Sequence, residues 1–341
     1  MFSQPIVFVI GAGASVEFGL PGGADMKKKL AETLNFNKRN DGQLFGDRAV
    51  YDLLGNRFGQ QAADRQNDAT ELAARIGEFE SIDEALHWFS GRPNIVSIGK
   101  AAIVREILQS ERTSGLFNQQ NPDIIPSKVY AETWLPHFLS MLVSSLRREQ
   151  SLELFRNVSL INFNYDRTIE HYLYSRLRTD FGFEPAEAID AISTLAMIRP
   201  YGSVGPLPWQ REGGIGVSFG EYIGDHERLF QLAENVRTYT EQNLAHELRF
   251  EIRSAIDSAR LVVFLGFGFH QQNMTLLQSG QSQPWRRALG SVFRIDQENF
   301  ETMKLKIAGI IGCQSPSLVQ LLPRRTHELL VTMRPTIMAA L

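Results

Sequence analysis

The chain has a single cysteine, Cys313, among its 341 residues. One thiol excludes an internal disulfide and any zinc site built from several cysteines, and it suits a reducing compartment. Long apolar runs are missing as well. The run Ile6 to Ile10 is too short for the core of a signal peptide, and no stretch approaches the ~20 apolar residues of a membrane helix, so a cytoplasmic protein is the expectation. Neither sign of charge is in excess: 35 Lys and Arg face 38 Asp and Glu, a formal net charge of -3. That balance favours neither a nucleic-acid backbone nor an anionic lipid surface, and small solutes or proteins are the expected partners. There is no internal repeat and no low-complexity tract. What remains, at 43% hydrophobic and 21% charged residues, is the composition of an ordinary globular protein.

Ile6-Val7-Phe8-Val9-Ile10, ended by Gly11-Ala12-Gly13, predicts a parallel strand buried on both faces near the centre of a sheet. Residues 24–34 predict a helix whose solvated face carries Lys27, Lys28 and Lys29. Residues 35–150 read as helices and loops without a convincing strand. Within them Ser81-Ile82-Asp83-Glu84 matches a capping box, His87 and Trp88 read as packing residues, and 95–108 and 127–146 continue the helical style. Residues 158–163 predict a second strand and 167–178 its helix. Pro200, Gly202, Gly205, Pro206, Pro208, Gly213, Gly214 and Gly216 make 199–224 an irregular stretch. A helix over 241–259 leads into the strand Leu261-Val262-Val263-Phe264-Leu265, and 291–295 reads as one more strand. The alternation predicts an α/β fold: a Rossmann-like, mainly parallel sheet with a large helical insertion. The expected organisation is one domain over 1–341, its sheet drawn from 1–22 and 156–341 and its insertion from 23–155.

Open parallel sheets bind ligands at the carboxyl ends of their strands. Three strand ends here are unusual. Gly11-Ala12-Gly13-Ala14-Ser15 lacks the side chains that would keep backbone N–H groups from a phosphate at a helix start. Val16 stands where the dehydrogenase fingerprint has its third glycine, and no strand with an acidic end follows at ~20 residues, which disfavours hydride transfer. Asn162-Phe163-Asn164-Tyr165-Asp166 places two amides and a carboxylate at the second strand end, where Asn164 or Asp166 could equally cap a helix. Gly266-Phe267-Gly268-Phe269-His270 is again glycine-rich, with His270 read as structural.

In this order the motifs resemble those of the sirtuin-like proteins. Gly11 to Ser15 with Gly19-Leu20-Pro21 looks like the family's glycine loop, and Asn162 to Asp166 is similar to its Thr-Gln-Asn-Ile-Asp motif. Asn164-Tyr165-Asp166 and Phe264 to Phe269 resemble more closely the bacterial members, many of them tied to NAD depletion in phage defence, and the likeness covers most of the chain. The resemblance implies NAD as ligand, no metal, and an NAD glycohydrolase of an anti-phage system with a possible partner protein and a homo-oligomeric state. It implies NAD contacts for Gly11, Ala12, Gly13, Ser15, Pro21, Asn162, Gly266, Phe267 and Gly268, and catalytic roles for Asn164, Asp166 and Tyr201.

The departures carry consequences. The four-cysteine zinc module of the deacetylases is missing, which argues against peptide deacetylation. Gly22-Gly23-Ala24 replaces the family's Asp-Phe-Arg, and the family's His-Gly corresponds to Tyr201-Gly202, or in a shifted alignment to Arg199; neither restores an imidazole. Nicotinamide leaves as a cationic group that needs no general acid, so positioning by Asn164 and charge stabilisation by Asp166 are expected to sustain turnover without that histidine. A catalytically silent nucleotide sensor that signals to a partner is the alternative, and an oligomeric scaffold with a vestigial pocket is a third reading.

Overall fold

The five residues of β1 (Ile6–Ile10) are all buried because successive side chains enter different cores: Val7 and Val9 one, Ile6, Phe8 and Ile10 the other. Burial of each stabilises by about 1.5–3 kcal/mol relative to exposure. The computed structural model describes residues 3–126, 132–144, 146–210, 216–239, 241 and 246–339. Five further strands pair with β1 in one sheet: β2 (Val158–Asn162), β3 (Ala196–Ile198), β4 (Leu261–Leu265), β5 (Arg287–Ser291) and β6 (Val319–Leu322). The order is β3-β2-β1-β4-β5-β6 and every neighbouring pair is parallel. This is the doubly wound Rossmann order, with β1 at the centre and the crevice between β1 and β4.

Fourteen α-helices appear among the described residues: α1 (Ala12–Val16), α2 (Gly23–Thr33), α3 (Arg48–Phe58), α4 (Ala62–Arg75), α5 (Ile82–Trp88), α6 (Pro93–Thr113), α7 (Trp134–Val143), α8 (Thr168–Thr179), α9 (Pro185–Ser193), α10 (His226–Ala233), α11 (His246–Ser258), α12 (Gln271–Leu276), α13 (Phe300–Ile311) and α14 (Thr326–Ala339). The stretch between β1 and β2 is helical, but its helices serve both faces of the sheet. Met26, Leu72 and Ile103 bring α2, α4 and α6 to the Val7/Val9 core, which Leu229 of α10 joins from beyond β3, whereas Trp134 and Phe138 bring α7 to the opposite core beside Ile169 and Leu329.

Several local expectations need correction. The strand expected at 291–295 is β5 at Arg287–Ser291; Gly290 within it weakens the apolar signal, and Arg294, at φ 62°, turns the chain away after its end. β3 and β6, of three and four residues, carry too little pattern to read. The helix expected at 127–146 is observed at Trp134–Val143, and that expected at 241–259 at His246–Ser258; residues 127–131, 145 and 242–245, with Gly213 and Gly214, lie outside the described residues. The capping box is half as expected: Ser81 Oγ accepts from the Glu84 N–H at 3.1 Å, but the Glu84 carboxylate accepts from the Glu80 N–H, one residue earlier.

One buried ion pair ties the fold to the site. Arg167, at the start of α8, meets Glu111 of α6, both fully buried, and burial holds the Glu111 carboxyl above its usual range. Glu111 also accepts from the backbone N–H groups of Arg167 and Gly220, and Arg167 donates to the carbonyls of Val217 and Ser218. These bonds fix where the chain leaves β2.

Candidate functional site

Register decides that three loops meet. Ile10 is level with Asn162 on one side and Leu265 on the other, so β1, β2 and β4 end together. The glycine loops then touch backbone to backbone: Gly11 N–H donates to Leu265 O at 3.0 Å and Gly13 N–H to Gly266 O at 2.9 Å. A Cβ on Gly11 would lie 2.6 Å from Gly266 O, and one on Gly13 2.8 Å from the same atom. Gly266, at φ +57°, leaves 2.0 Å between its own Cβ position and Ala14 N, so a side chain is excluded by both space and conformation. Trp134 Nε1 of α7 donates to Ala14 O at 3.1 Å, and Ser291 Oγ accepts from Gly266 N–H at 2.9 Å, pinning both loops.

The glycines thus serve close packing first. The Gly13 N–H expected to face a phosphate is spent on Gly266, while the Ala12 N–H donates to no group among the described residues.

Above these loops lies a cavity of about 300 Å³, at the lower end of ligand-site sizes. Of the residues singled out in the sequence, Gly11, Ala12, Gly13, Pro21, Asn164, Asp166, Tyr201, Gly266, Phe267 and Gly268 line it. Ser15 and Asn162 do not: both are buried beneath its floor and act through Asn164.

The direction of the floor's hydrogen bonds follows from its one charge. The Asp166 carboxylate can only accept, so Ser15 Oγ–H donates to Oδ2 at 2.8 Å. Ser15 Oγ then accepts from Asn164 Nδ2 at 2.9 Å, whose second proton goes to Gly11 O at 3.1 Å. Asn162 Oδ1 accepts from the Asn164 backbone N–H at 3.0 Å. Every donor of Asn164 is committed, which orients its amide and leaves Oδ1, with no partner among the described residues, as its acceptor for a ligand. Asp166 Oδ1 meanwhile accepts from Thr168 N–H at 3.1 Å, so helix capping and site support are one residue's work.

The wall opposite is aromatic. Tyr201 is buried against Phe163 and Tyr165, lines the cavity, and donates its hydroxyl to Asn273 Oδ1 at 2.6 Å. Arg199 lies outside the cavity; it donates to Asn164 O at 2.7 Å and to Glu170 Oε1, holding the Asn164 backbone from behind. Tyr165 donates to Asp83 Oδ1 at 2.6 Å, and burial pushes the Asp83 carboxyl up to about 6 against that bond.

Several lining residues were not read from the sequence as site residues. Asp83 was hidden inside a capping motif, and Asn273 follows the third glycine turn with no signal of its own. Lys27 is partly buried, lines the cavity, and donates to Phe79 O at 2.6 Å, so the reading of all three lysines as a solvated face fails for it. Gly23, with Gly22 and Ala24 beside it, starts α2 at the cavity wall, and Gly22 as N-cap offers no side chain to the helix's free N–H groups. An uncapped helix start with a cation one turn on suits an anion. His270, read as structural, lines the mouth, with Nδ1 3.7 Å from Glu80 Oε2.

The described residues contain no group of three or more side chains suited to a metal, and no helix long and apolar enough to cross a membrane. No family model matches the chain, and no curated protein does.

Proposed function

We propose that this cavity binds NAD and hydrolyses it to nicotinamide and ADP-ribose. The observation that carries the reading is the committed amide of Asn164: a buried network fixes an acceptor at the carboxyl ends of β1 and β2, where it can hold a ribose hydroxyl or a water as positive charge develops on the sugar. The free N–H groups at the start of α2, Lys27 and the Ala12 N–H supply the pole for phosphates. In the biology implied by the resemblance, the reaction depletes NAD in a bacterial cytoplasm during phage attack. Incubation of the purified chain with NAD tests the reading by release of nicotinamide. The second reading, a silent sensor, is favoured by Tyr201 standing where the family has its histidine, and predicts NAD binding by calorimetry without release.

Two expected results follow from the lining. Lys27→Met removes the cation but keeps the stem, and NAD affinity is expected to fall about tenfold, less at high salt. Calorimetric titration at two salt concentrations checks it, and equal affinity for the variant removes Lys27 from the phosphate pole. Tyr201→Phe leaves Asn273 Oδ1 without its donor and deprives a ribose hydroxyl of a partner, so turnover is expected to fall several-fold while affinity changes less. Tyr201→His is expected to raise turnover by supplying an imidazole base at the cavity wall. Wild-type kcat in Tyr201→Phe would leave the tyrosine a packing residue only.

A further inference from the structure

Hydrolysis releases a proton from the attacking water, and no imidazole stands at Tyr201 or Arg199 to accept it. The ionisable groups lining the cavity among the described residues are Lys27, Glu80, Asp83, Tyr165, Asp166, Tyr201 and His270. Most are excluded by their bonds or position. Lys27 is a cation donating to Phe79 O. Both oxygens of Asp166 are occupied, by Ser15 Oγ and Thr168 N–H. Glu80 and His270 sit at the rim, their side chains 74% and 44% exposed and 3.7 Å from each other. Tyr165 donates a hydrogen bond to Asp83, and burial beside that carboxyl raises the phenol well above its usual range, so it keeps its proton. Tyr201 donates its hydroxyl hydrogen bond to Asn273 Oδ1.

Asp83 differs from all of these. It is partly buried in the wall formed by the start of α5, Tyr165 fixes Oδ1 at 2.6 Å, its own backbone N–H bonds the carboxylate, and no other residue among the described ones donates to Oδ2. We propose that Asp83 is the general base of the cavity, taking the proton of the attacking water on Oδ2 while Tyr165 orients the carboxylate through Oδ1. The proposal rests on the hydrolase reading above. In the step, the water oxygen forms a bond to the ribose carbon, the bond from that carbon to the nicotinamide nitrogen breaks, and its electron pair neutralises the pyridinium. The water proton passes to Asp83 Oδ2 and then to solvent, so charge and atoms balance without a further reactant. Burial supports the role by lifting the carboxyl to about 6, close enough to neutral pH to be both ionised and basic. The other titratable groups near it are Lys27, Glu80, Asp166, Tyr165, Tyr201 and His270, which line the same cavity, and Glu84 and His87 on its own helix.

The test is nicotinamide release by the full chain from pH 5 to 9, for wild type, Asp83→Asn and Tyr165→Phe, with ADP-ribose binding measured by calorimetry. Wild-type kcat is expected to rise with pH through about 6 and then level, because only the ionised carboxylate accepts a proton. Asp83→Asn is expected to lose that acid limb and about 10²-fold in kcat, with ADP-ribose affinity held within about threefold. Tyr165→Phe removes a hydrogen bond that favours the ionised form, so its limb is expected to move to higher pH; a purely structural role would not move it. An Asp83→Asn enzyme with wild-type turnover and an intact limb overturns the assignment alone, as does a Tyr165→Phe limb that stays in place. If wild type binds ADP-ribose but releases no nicotinamide at any pH, the hydrolase reading falls and Asp83's role falls with it.

Discussion

Asn164→Ala is expected to abolish measurable nicotinamide release, lowering kcat by about 10²–10³-fold, and to destabilise the fold at the same time. From sequence alone this substitution looks harmless to the fold, with the amide acting only on a ligand. The structure instead buries that amide, 6% exposed, with Nδ2 donating to Gly11 O and Ser15 Oγ. Removing it leaves a buried carbonyl and hydroxyl short of a donor, at a cost of about 1–3 kcal/mol. Ser15→Ala separates the two effects. It breaks the same floor at Asp166 but keeps Oδ1 of Asn164, so a comparable loss of stability should come with a smaller loss of turnover. Urea denaturation alongside steady-state kinetics measures both, and equal kcat losses in the two variants would mean that Asn164 acts only as scaffold.

Gly13→Val should destroy nucleotide binding by a route other than the obvious one. A branched side chain was expected to fill the space a phosphate needs; in the structure the Cβ points at the neighbouring loop, 2.8 Å from Gly266 O and 2.9 Å from Gly266 Cα. Neither atom can yield, because Gly266 is held by Ser291 Oγ and by the Gly13 N–H itself. The variant is therefore expected to lose about 3 kcal/mol or more of stability and to bind no NAD even where it stays folded. Denaturant midpoints with calorimetric titration provide the check. A variant of wild-type stability that merely fails to bind would return Gly13 to the phosphate.

Legibility differed between elements for identifiable reasons. β1, β2 and β4 were readable because a strand buried on both faces shows as an unbroken apolar run closed by glycine. β3 and β6 were not, being short edge strands whose partners are non-local. At the site, the glycine loops, Asn164 and Asp166 were visible as strand-end motifs, and Tyr201 reaches the cavity as its place before Gly202 suggested. Asp83 was not visible as a lining residue: its neighbours in the chain describe a helix start, and its hydrogen-bond partner Tyr165 lies 82 positions away.

The sequence by itself determined the α/β class, the central place of β1, the glycine requirement at the strand ends and the residue types offered there, because these depend on local pattern and on side chains being absent. Only the tertiary structure decided that the glycines pack against one another, that the start of α2 joins that of α1 at the cavity wall, and that Asn164 Oδ1 is left without a donor among the described residues. Those outcomes follow from register across the sheet and from the direction of buried hydrogen bonds, and both are fixed only when residues distant in the chain pack together.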